Sequence, residues 1–201
     1  RVIAFYLPQF HPTPENDKWW GKDLRNGPMW AKPNLCLKGH YQPKVPADLG
    51  YYDLRVPETR REQAELARQY GIEGFCYWHY WFGNGRQLLQ RPFQEVLASG
   101  EPDFPFCLAW ANHSWEDKQF NKEGGNKMLM EQLYPGDEDY IAHFNAVLPA
   151  FKDPRYIRVN GEPLFMIYAP MKVPDIAHFI ELWQKLAEPH GFRIHFVGHT
   201  S

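Results

Sequence analysis

Residues 74–85 read GFCYWHYWFGNG, and this stretch decides how the chain is interpreted. Its first part, residues 74–77, is a short apolar run of β-forming residues that predicts a buried strand. Aromatic residues then crowd around His79, and two glycines close the stretch. Aromatic side chains gathered where a buried strand is expected to end indicate a site rather than packing alone.

The rest of the chain repeats the order strand, then helix. This order is typical of parallel β/α units, either in a doubly wound sheet or in a barrel. A doubly wound nucleotide-binding sheet carries a glycine-rich turn after its first strand, whereas LPQFHP occupies residues 7–12 here. We therefore predict an α/β fold of the (β/α)8 TIM-barrel type, incomplete, with about five β/α units in this chain.

We predict that residues 1–201 form a single β/α barrel domain, truncated at its C-terminus. A long segment from 9 to 56 has no convincing periodicity and is predicted to be irregular. The predicted strands are 2–7, 74–77, 106–109, 164–168 and 194–198, the predicted helices are 57–70, 92–99, 137–151 and 175–190, and a hairpin with an Asn160-Gly161 turn joins 156–159 to 164–168.

Composition excludes several classes of protein. The 201 residues carry a formal net charge of −2 and no Lys/Arg cluster, so no nucleic-acid partner is expected. No apolar run is long enough to form a transmembrane segment. The three cysteines, Cys36, Cys76 and Cys107, lack metal-ligand spacing and fit a reducing, cytoplasmic location, although no initiator methionine marks the true N-terminus.

Polar and aromatic residues follow the predicted strands. In parallel β/α proteins the chemistry lies at the carboxyl ends of the strands, so these residues are expected to converge. Aromatic rings stack on the C–H faces of sugars while amides and imidazoles bind the hydroxyl groups, which predicts an oligosaccharide or polysaccharide ligand. The candidate substrate-binding residues are His11, Trp20, His40, Tyr41, Tyr77, His79, Tyr80, Trp81, Trp110, Asn112, His113, Trp115 and Tyr168.

Two acidic residues are the candidate catalytic groups, Glu116 first and Glu131 second, because cleavage of a glycosidic bond normally requires carboxyl groups on both sides of it. Either glutamate has a structural interpretation too, as do His79 and each tryptophan. No metal or cofactor is predicted, because the histidines lack metal-ligand spacing. Residues 137–139, Asp-Glu-Asp, resemble a metal-binding DxD motif, but acids also favour a helix N-terminus, and we prefer that interpretation.

Several stretches together resemble the WbsX-like family of glycosyltransferases of polysaccharide biosynthesis, which is related to the endo-α-mannosidase barrel of glycoside hydrolase family 99. The resemblance runs across nearly the whole chain and implies a (β/α)8 barrel that acts on glycosides. The stretches are AFYLPQFHPTPENDKWWGK (4–22), GHYQPKVPADLGYYDLR (39–55), GFCYWHYWF (74–82), FPFCLAWAN (104–112) and FKDPRYIRVNGEPLF (151–165).

The sequence departs from the family pattern at three places. Residues 23–30, DLRNGPMW, have no glutamate where a G-F-T-E-W-like segment is usual, and His113 takes the place of the glutamate in A-N-E-x-W. A late N-E-W-x-E-G-like segment, which in the mannosidase relatives carries the catalytic glutamates, has no counterpart before Ser201. The resemblance therefore leaves open whether the catalytic carboxylates lie beyond this chain.

Three hypotheses follow for the function. The first is an enzyme of glycoside-hydrolase-like barrel type that acts on glycosidic bonds of a mannose-containing or other bacterial polysaccharide. The second is a glycosyltransferase of lipopolysaccharide, O-antigen or capsule biosynthesis. The third is a non-catalytic carbohydrate-binding domain, motivated by the missing late carboxylates and by His113.

Overall fold

A computed structural model describes residues 1–20, 47–117 and 127–199. Within these ranges the chain alternates between strands and helices, as the sequence predicts. The strands are β1 (Ile3–Tyr6), β2 (Gly74–Trp81), β3 (Gln87–Leu88), β4 (Phe106–Trp110), β5 (Trp115–Asp117), β6 (Lys127–Met130), β7 (Arg158–Val159), β8 (Glu162–Ile167) and β9 (His195–Gly198), and the α-helices are α1 (Pro14–Trp20), α2 (Pro57–Gln69), α3 (Arg91–Ser99), α4 (Asp137–Phe151) and α5 (Ile176–Ala187), with short 3-10 helices at Pro170–Lys172 and Glu188–His190.

Five parallel strands form the centre of the molecule, in the order β1-β2-β4-β8-β9. Each strand pairs with the one that precedes it in this series, so the order never reverses. A doubly wound sheet contains such a reversal, whereas a β/α barrel does not. The mixed α/β fold with a mostly parallel sheet is thus confirmed, and its strand order is the order found in barrels.

The two faces of this sheet are chemically different. Side chains alternate along a strand, so Tyr6, Tyr77 and Phe165 all point to one face. On that face Tyr6 binds Gln63 of α2, Tyr77 packs on Phe93 of α3, and Phe165 packs on Trp183 of α5. We call this the helix face, and the opposite one the inner face.

The hairpin predicted around Asn160-Gly161 is present. Arg158 pairs with Pro163 and Val159 with Glu162, and Asn160 and Gly161 have φ values of 52° and 86°. Positive φ at both central residues is the geometry that the Asn-Gly sequence favours in two-residue hairpins.

Two predictions of secondary structure are wrong. Strand β2 continues to Trp81 instead of ending at Tyr77, because its backbone stays paired with β4 up to Trp110 and then pairs with β3. The aromatic row therefore lies within the strand and not in a loop after it. The second error concerns the segment predicted to be irregular, in which residues 14–20 form α1.

Candidate functional site

Because the aromatic row lies within a strand, alternation divides it between the two faces of the sheet. Trp78 and Tyr80 point to the inner face, where Trp78 stacks on Phe5 at 4.7 Å and Tyr80 lies edge-on to Trp115 at 5.0 Å. Tyr77, His79 and Trp81 point to the helix face. The aromatic row therefore contributes side chains to both faces of the sheet.

The inner face carries a continuous group of aromatic rings at the carboxyl ends of four strands. Measured between ring centroids, Trp78 lies 5.5 Å from Tyr168, and Tyr168 lies 5.4 Å from His113. The centroid of His199 lies 5.2 Å from that of Tyr168, and the centroid of His113 lies 6.3 Å from that of Tyr80. Burial raises the pKa of Tyr80 to about 12, so its hydroxyl group remains neutral. We name this group the inner aromatic surface; its members are Trp78, Tyr80, His113, Trp115, Tyr168 and His199.

Small side chains on β4 allow these rings to meet. Trp78 of β2 and Tyr168, which follows β8, lie on strands separated by β4, yet their rings are in contact. Ala109 is the β4 residue in register with Trp78. Its single methyl group leaves room above the strand, so the two rings approach each other across it.

Asn112 connects two of the loops that carry this surface. Its Nδ2–H donates to the carbonyl oxygen of Ala169 at 2.8 Å and to the Tyr134 hydroxyl at 3.1 Å, and its Oδ1 accepts the Ala169 N–H at 2.8 Å. The side chain is fully buried. Since Asn112 precedes His113 and Ala169 follows Tyr168, these bonds fix the distance between His113 and Tyr168.

We expect Asn112→Ala to lower the free energy of unfolding by about 2 kcal/mol, because it removes the acceptor of the Ala169 N–H and one of the two donors to the Ala169 carbonyl oxygen, which also accepts the Lys172 N–H. Urea denaturation followed by tryptophan fluorescence measures this difference. Asn145→Ala, which changes an exposed asparagine on α4, is the matched control. A loss equal to that of the control would contradict the role of Asn112.

The other half of the aromatic row encloses a pair of buried histidines. Nε2 of His79 lies 2.9 Å from Nε2 of His143 on α4, and the His143 ring stacks on Trp81 at 4.8 Å. Trp81 donates its indole N–H to Asp139 at 2.9 Å, and Trp110 donates its own to the Trp81 carbonyl oxygen at 3.0 Å. These groups hold α4 against the sheet.

Burial determines the charge of both imidazoles. It lowers the pKa of His79 to about 4, and it lowers the pKa of His143 well below its usual range, with a further contribution from the neighbouring His79. A single hydrogen bond between two imidazoles needs one ring to donate and the other to accept. Two neutral rings therefore satisfy the contact. We refer to these two residues as the histidine pair.

The candidate acids lie on the β5–β6 hairpin and its end. Glu116 is in register with Met128, and Glu131 directly follows β6; both side chains are exposed to solvent. Trp115, one residue before Glu116, packs on Phe82 and Trp19 and so fixes the hairpin to the sheet. The structure brings Trp115 into the inner aromatic surface and places the two glutamates on the exposed part of the hairpin.

The acidic stretch at the start of α4 makes hydrogen bonds within the fold. Asp139 accepts from Trp81 and also from the Gly85 N–H at 3.3 Å, and Asp137 binds His178 of α5 at 2.7 Å. Both carboxylates therefore stabilise the packing of α4. Among the residues that the structure describes, no group of three or more His, Cys, Asp or Glu side chains is arranged to hold a metal ion.

The remaining predicted site residues lie elsewhere or outside the described ranges. His11 is buried in the turn after β1, where its neighbour Phe10 accepts a hydrogen bond from Leu54, and burial lowers the pKa of His11. Trp20 ends α1, and its side chain is outside the described part, as are His40 and Tyr41. Of the predicted binding residues, the inner aromatic surface includes Tyr80, His113, Trp115 and Tyr168, while Tyr77, His79, Trp81 and Trp110 belong to the helix face.

Sequence reasoning missed Trp78 and His143. Period-two alternation carried through to Phe82 would have placed Trp78 on the face opposite His79. For His143 the signal is the spacing of one helical turn that it shares with Asp139 and Val147 on the buried face of α4.

A second concavity among the described residues is unrelated to either group of rings. It is an open groove of about 670 Å³ along the outer side of α5 and the turn that follows, lined by residues such as Gln184, Glu188 and Arg193. It lies on the helix side of the molecule. No helix among the described residues is long and apolar enough to cross a membrane.

The mixed α/β fold has a counterpart among solved structures. A solved structure of a glycoside hydrolase-like protein superposes with a TM-score of 0.58 and 14% identity, covering 98% of this chain and 51% of its own. The GH99 endo-α-mannosidase from Bacteroides thetaiotaomicron gives a TM-score of 0.47 and 15% identity, covering 99% and 55%.

The chain belongs to the Glycosyltransferase WbsX family, whose sequence model matches residues 2–201. It is 40% identical over 192 residues, 94% of its length, to the uncharacterized protein WxcX of Xanthomonas campestris pv. campestris strain B100, and equally to that of strain ATCC 33913. The chain spans 27% of the length of these relatives. The family resemblance seen in the sequence is thereby confirmed.

Proposed function

We propose that this chain provides the saccharide-binding surface of an enzyme that acts on glycosidic bonds of a bacterial polysaccharide. One observation carries the proposal: the inner aromatic surface gathers rings from four strand ends at the place where β/α proteins bind their substrates. Family membership supports the same substrate class.

The surface has the chemistry that a sugar requires. The faces of Trp78 and Tyr168 are apolar, whereas the imidazoles of His113 and His199 supply hydrogen-bonding edges beside them. Trp78, His113 and Tyr168 are half-buried and His199 is exposed, so a ligand on the inner face has access to all four.

Binding is tested by titrating the purified chain with oligosaccharides, including mannose-containing ones, in a calorimeter. We expect Trp78→Ala and Tyr168→Ala each to weaken the best ligand at least tenfold, about 1.4 kcal/mol, through loss of ring stacking. Tyr70→Ala, which removes a ring that is 80% exposed at the end of α2, serves as the matched control. Equal affinities for all four proteins would contradict the proposal.

Transfer is the alternative reaction, and the family to which the chain belongs favours it. Supplying the protein with nucleotide sugars and an acceptor glycan distinguishes the two, because a transferase forms a longer glycan and a hydrolase releases shorter ones. In this comparison Glu116→Gln and Glu131→Gln test the candidate acids, with exposed Glu138→Gln as the control. Ligand binding without turnover, unchanged by Glu116→Gln, would instead favour a non-catalytic binding domain.

A further inference from the structure

A narrow pocket between α3 and α4 reaches His79 of the histidine pair. Its volume is about 50 Å³, far smaller than the several hundred Å³ typical of sites for drug-sized ligands. Its wall includes Gln94 and Ala146, which are exposed to solvent. It also includes His79, which is only 8% exposed. We call it the His79 pocket; the other residues that line it include Gln87, Gln90, Phe93, Leu97 and Val147.

The hydrogen atoms of the histidine pair can be assigned from the surroundings of His143. Its Nδ1 is buried and has no hydrogen-bond partner among the described residues. A buried N–H without an acceptor is rarer in proteins than a buried acceptor without a donor. His143 therefore carries its hydrogen on Nε2 and donates it to Nε2 of His79.

This assignment fixes the tautomer of His79. Because Nε2 of His79 accepts, the hydrogen of the neutral ring is on Nδ1. Among the described residues, that nitrogen has no hydrogen-bond partner. His143 contacts the other nitrogen of the ring, Nε2, and is not part of the pocket wall. The Nδ1–H group of His79 is thus left as a donor for whatever occupies the pocket.

We propose that the His79 pocket is a binding site for water, and that a bound water molecule accepts a hydrogen bond from Nδ1–H of His79. The volume suffices, since a single water needs roughly 10–15 Å³ of such space. Gln87 and Gln90 are half-buried residues of the wall, and their side chains carry the amide groups that could serve as the further polar partners of an ordered water. This site is on the helix side of the sheet and does not depend on the proposed saccharide function.

Nuclear magnetic resonance of the chain labelled with ¹⁵N-histidine tests the proposal. Long-range ¹H–¹⁵N correlations report the tautomers, and rotating-frame cross-peaks report contact with water. We expect the ring hydrogen of His79 to be on Nδ1 and that of His143 to be on Nε2. We also expect a cross-peak between water and the Nδ1–H of His79. The reverse pair of tautomers, or an Nδ1–H of His79 without a water cross-peak, would overturn it.

Two variants of α4 locate the water. Ala146→Leu fills the outer part of the pocket, so the water cross-peak should disappear while both tautomers remain. Ala142→Leu, at an exposed position one turn earlier that is not part of the pocket wall, should leave the cross-peak unchanged. Gln94→Leu closes the pocket from α3 and repeats the test independently of α4. A cross-peak that survives both Ala146→Leu and Gln94→Leu would show that the water lies elsewhere.

Discussion

Replacing His143 with alanine is expected to lower the free energy of unfolding by about 3–5 kcal/mol. The ring is fully buried, stacks on Trp81, and lies 5.0 Å from Trp183, so its removal leaves a cavity among large aromatic side chains. The same change deprives Nε2 of His79 of its hydrogen-bond donor. Equilibrium unfolding in urea measures the loss.

Two further variants separate packing from hydrogen bonding. His143→Gln retains an N–H donor in place of the imidazole Nε2–H and should recover part of the loss. Asn145→Ala, at an exposed position of the same helix, should change stability by less than about 0.5 kcal/mol. If His143→Ala costs no more than Asn145→Ala, the histidine pair does not hold α4 to the sheet.

Acidification is expected to destabilise the protein well before its carboxylates titrate. A histidine that is neutral in the fold and has a pKa of about 6.5 when unfolded binds more protons in the unfolded state, so stability falls as pH drops below about 6.5. With a folded pKa of about 4, His79 alone accounts for about 2 kcal/mol between pH 7.5 and 5. His143 acts in the same direction.

Urea unfolding at several pH values between 7.5 and 5 tests this expectation. The lowered pKa of His11 adds to the effect, whereas the pKa of exposed His178, raised by Asp137, opposes it. The double variant His79→Gln/His143→Gln removes the two buried titrating groups and should show a much smaller decrease. An equal decrease in the wild type and in the double variant would assign the pH dependence to other groups.

The sequence predicts the alternation of strands and helices correctly because each element carries its own signal. Helix α2 begins at Pro57 and is followed by Gly71, and α5 has its apolar residues at helical spacing. Asn160-Gly161 is a local turn signal as well. Such signals depend only on neighbouring residues, which a single sequence displays in full.

The face to which each side chain points was harder to predict. If β2 ended at Tyr77, as predicted, the later aromatic residues would belong to a loop and could all face one site. The strand instead continues because β4 and β3 supply backbone partners as far as Trp81, and those partners are distant in sequence. One misplaced strand end therefore put His79 and Trp81 in the candidate site and left out Trp78.

The pairing of His79 with His143 could not be predicted for a similar reason. A histidine on the buried side of a helix indicates only that it needs a partner, and the partner is 64 residues away. Asn112 shows the same limit. Its type suits a sugar contact, but its amide is fully engaged by Ala169 and Tyr134, which only the fold brings close.

The methyl group of Ala109 has a consequence for the spacing of the inner aromatic surface. The rings of Trp78 and Tyr168 are in contact above β4, a strand that carries neither residue. The distance between the two rings therefore depends on the size of residue 109 beneath them. A larger side chain at this position is expected to increase the distance between the rings without changing the backbone hydrogen bonds of β4 to β2 and β8. The spacing of the inner aromatic surface can therefore be changed from beneath, through a residue that is itself fully buried.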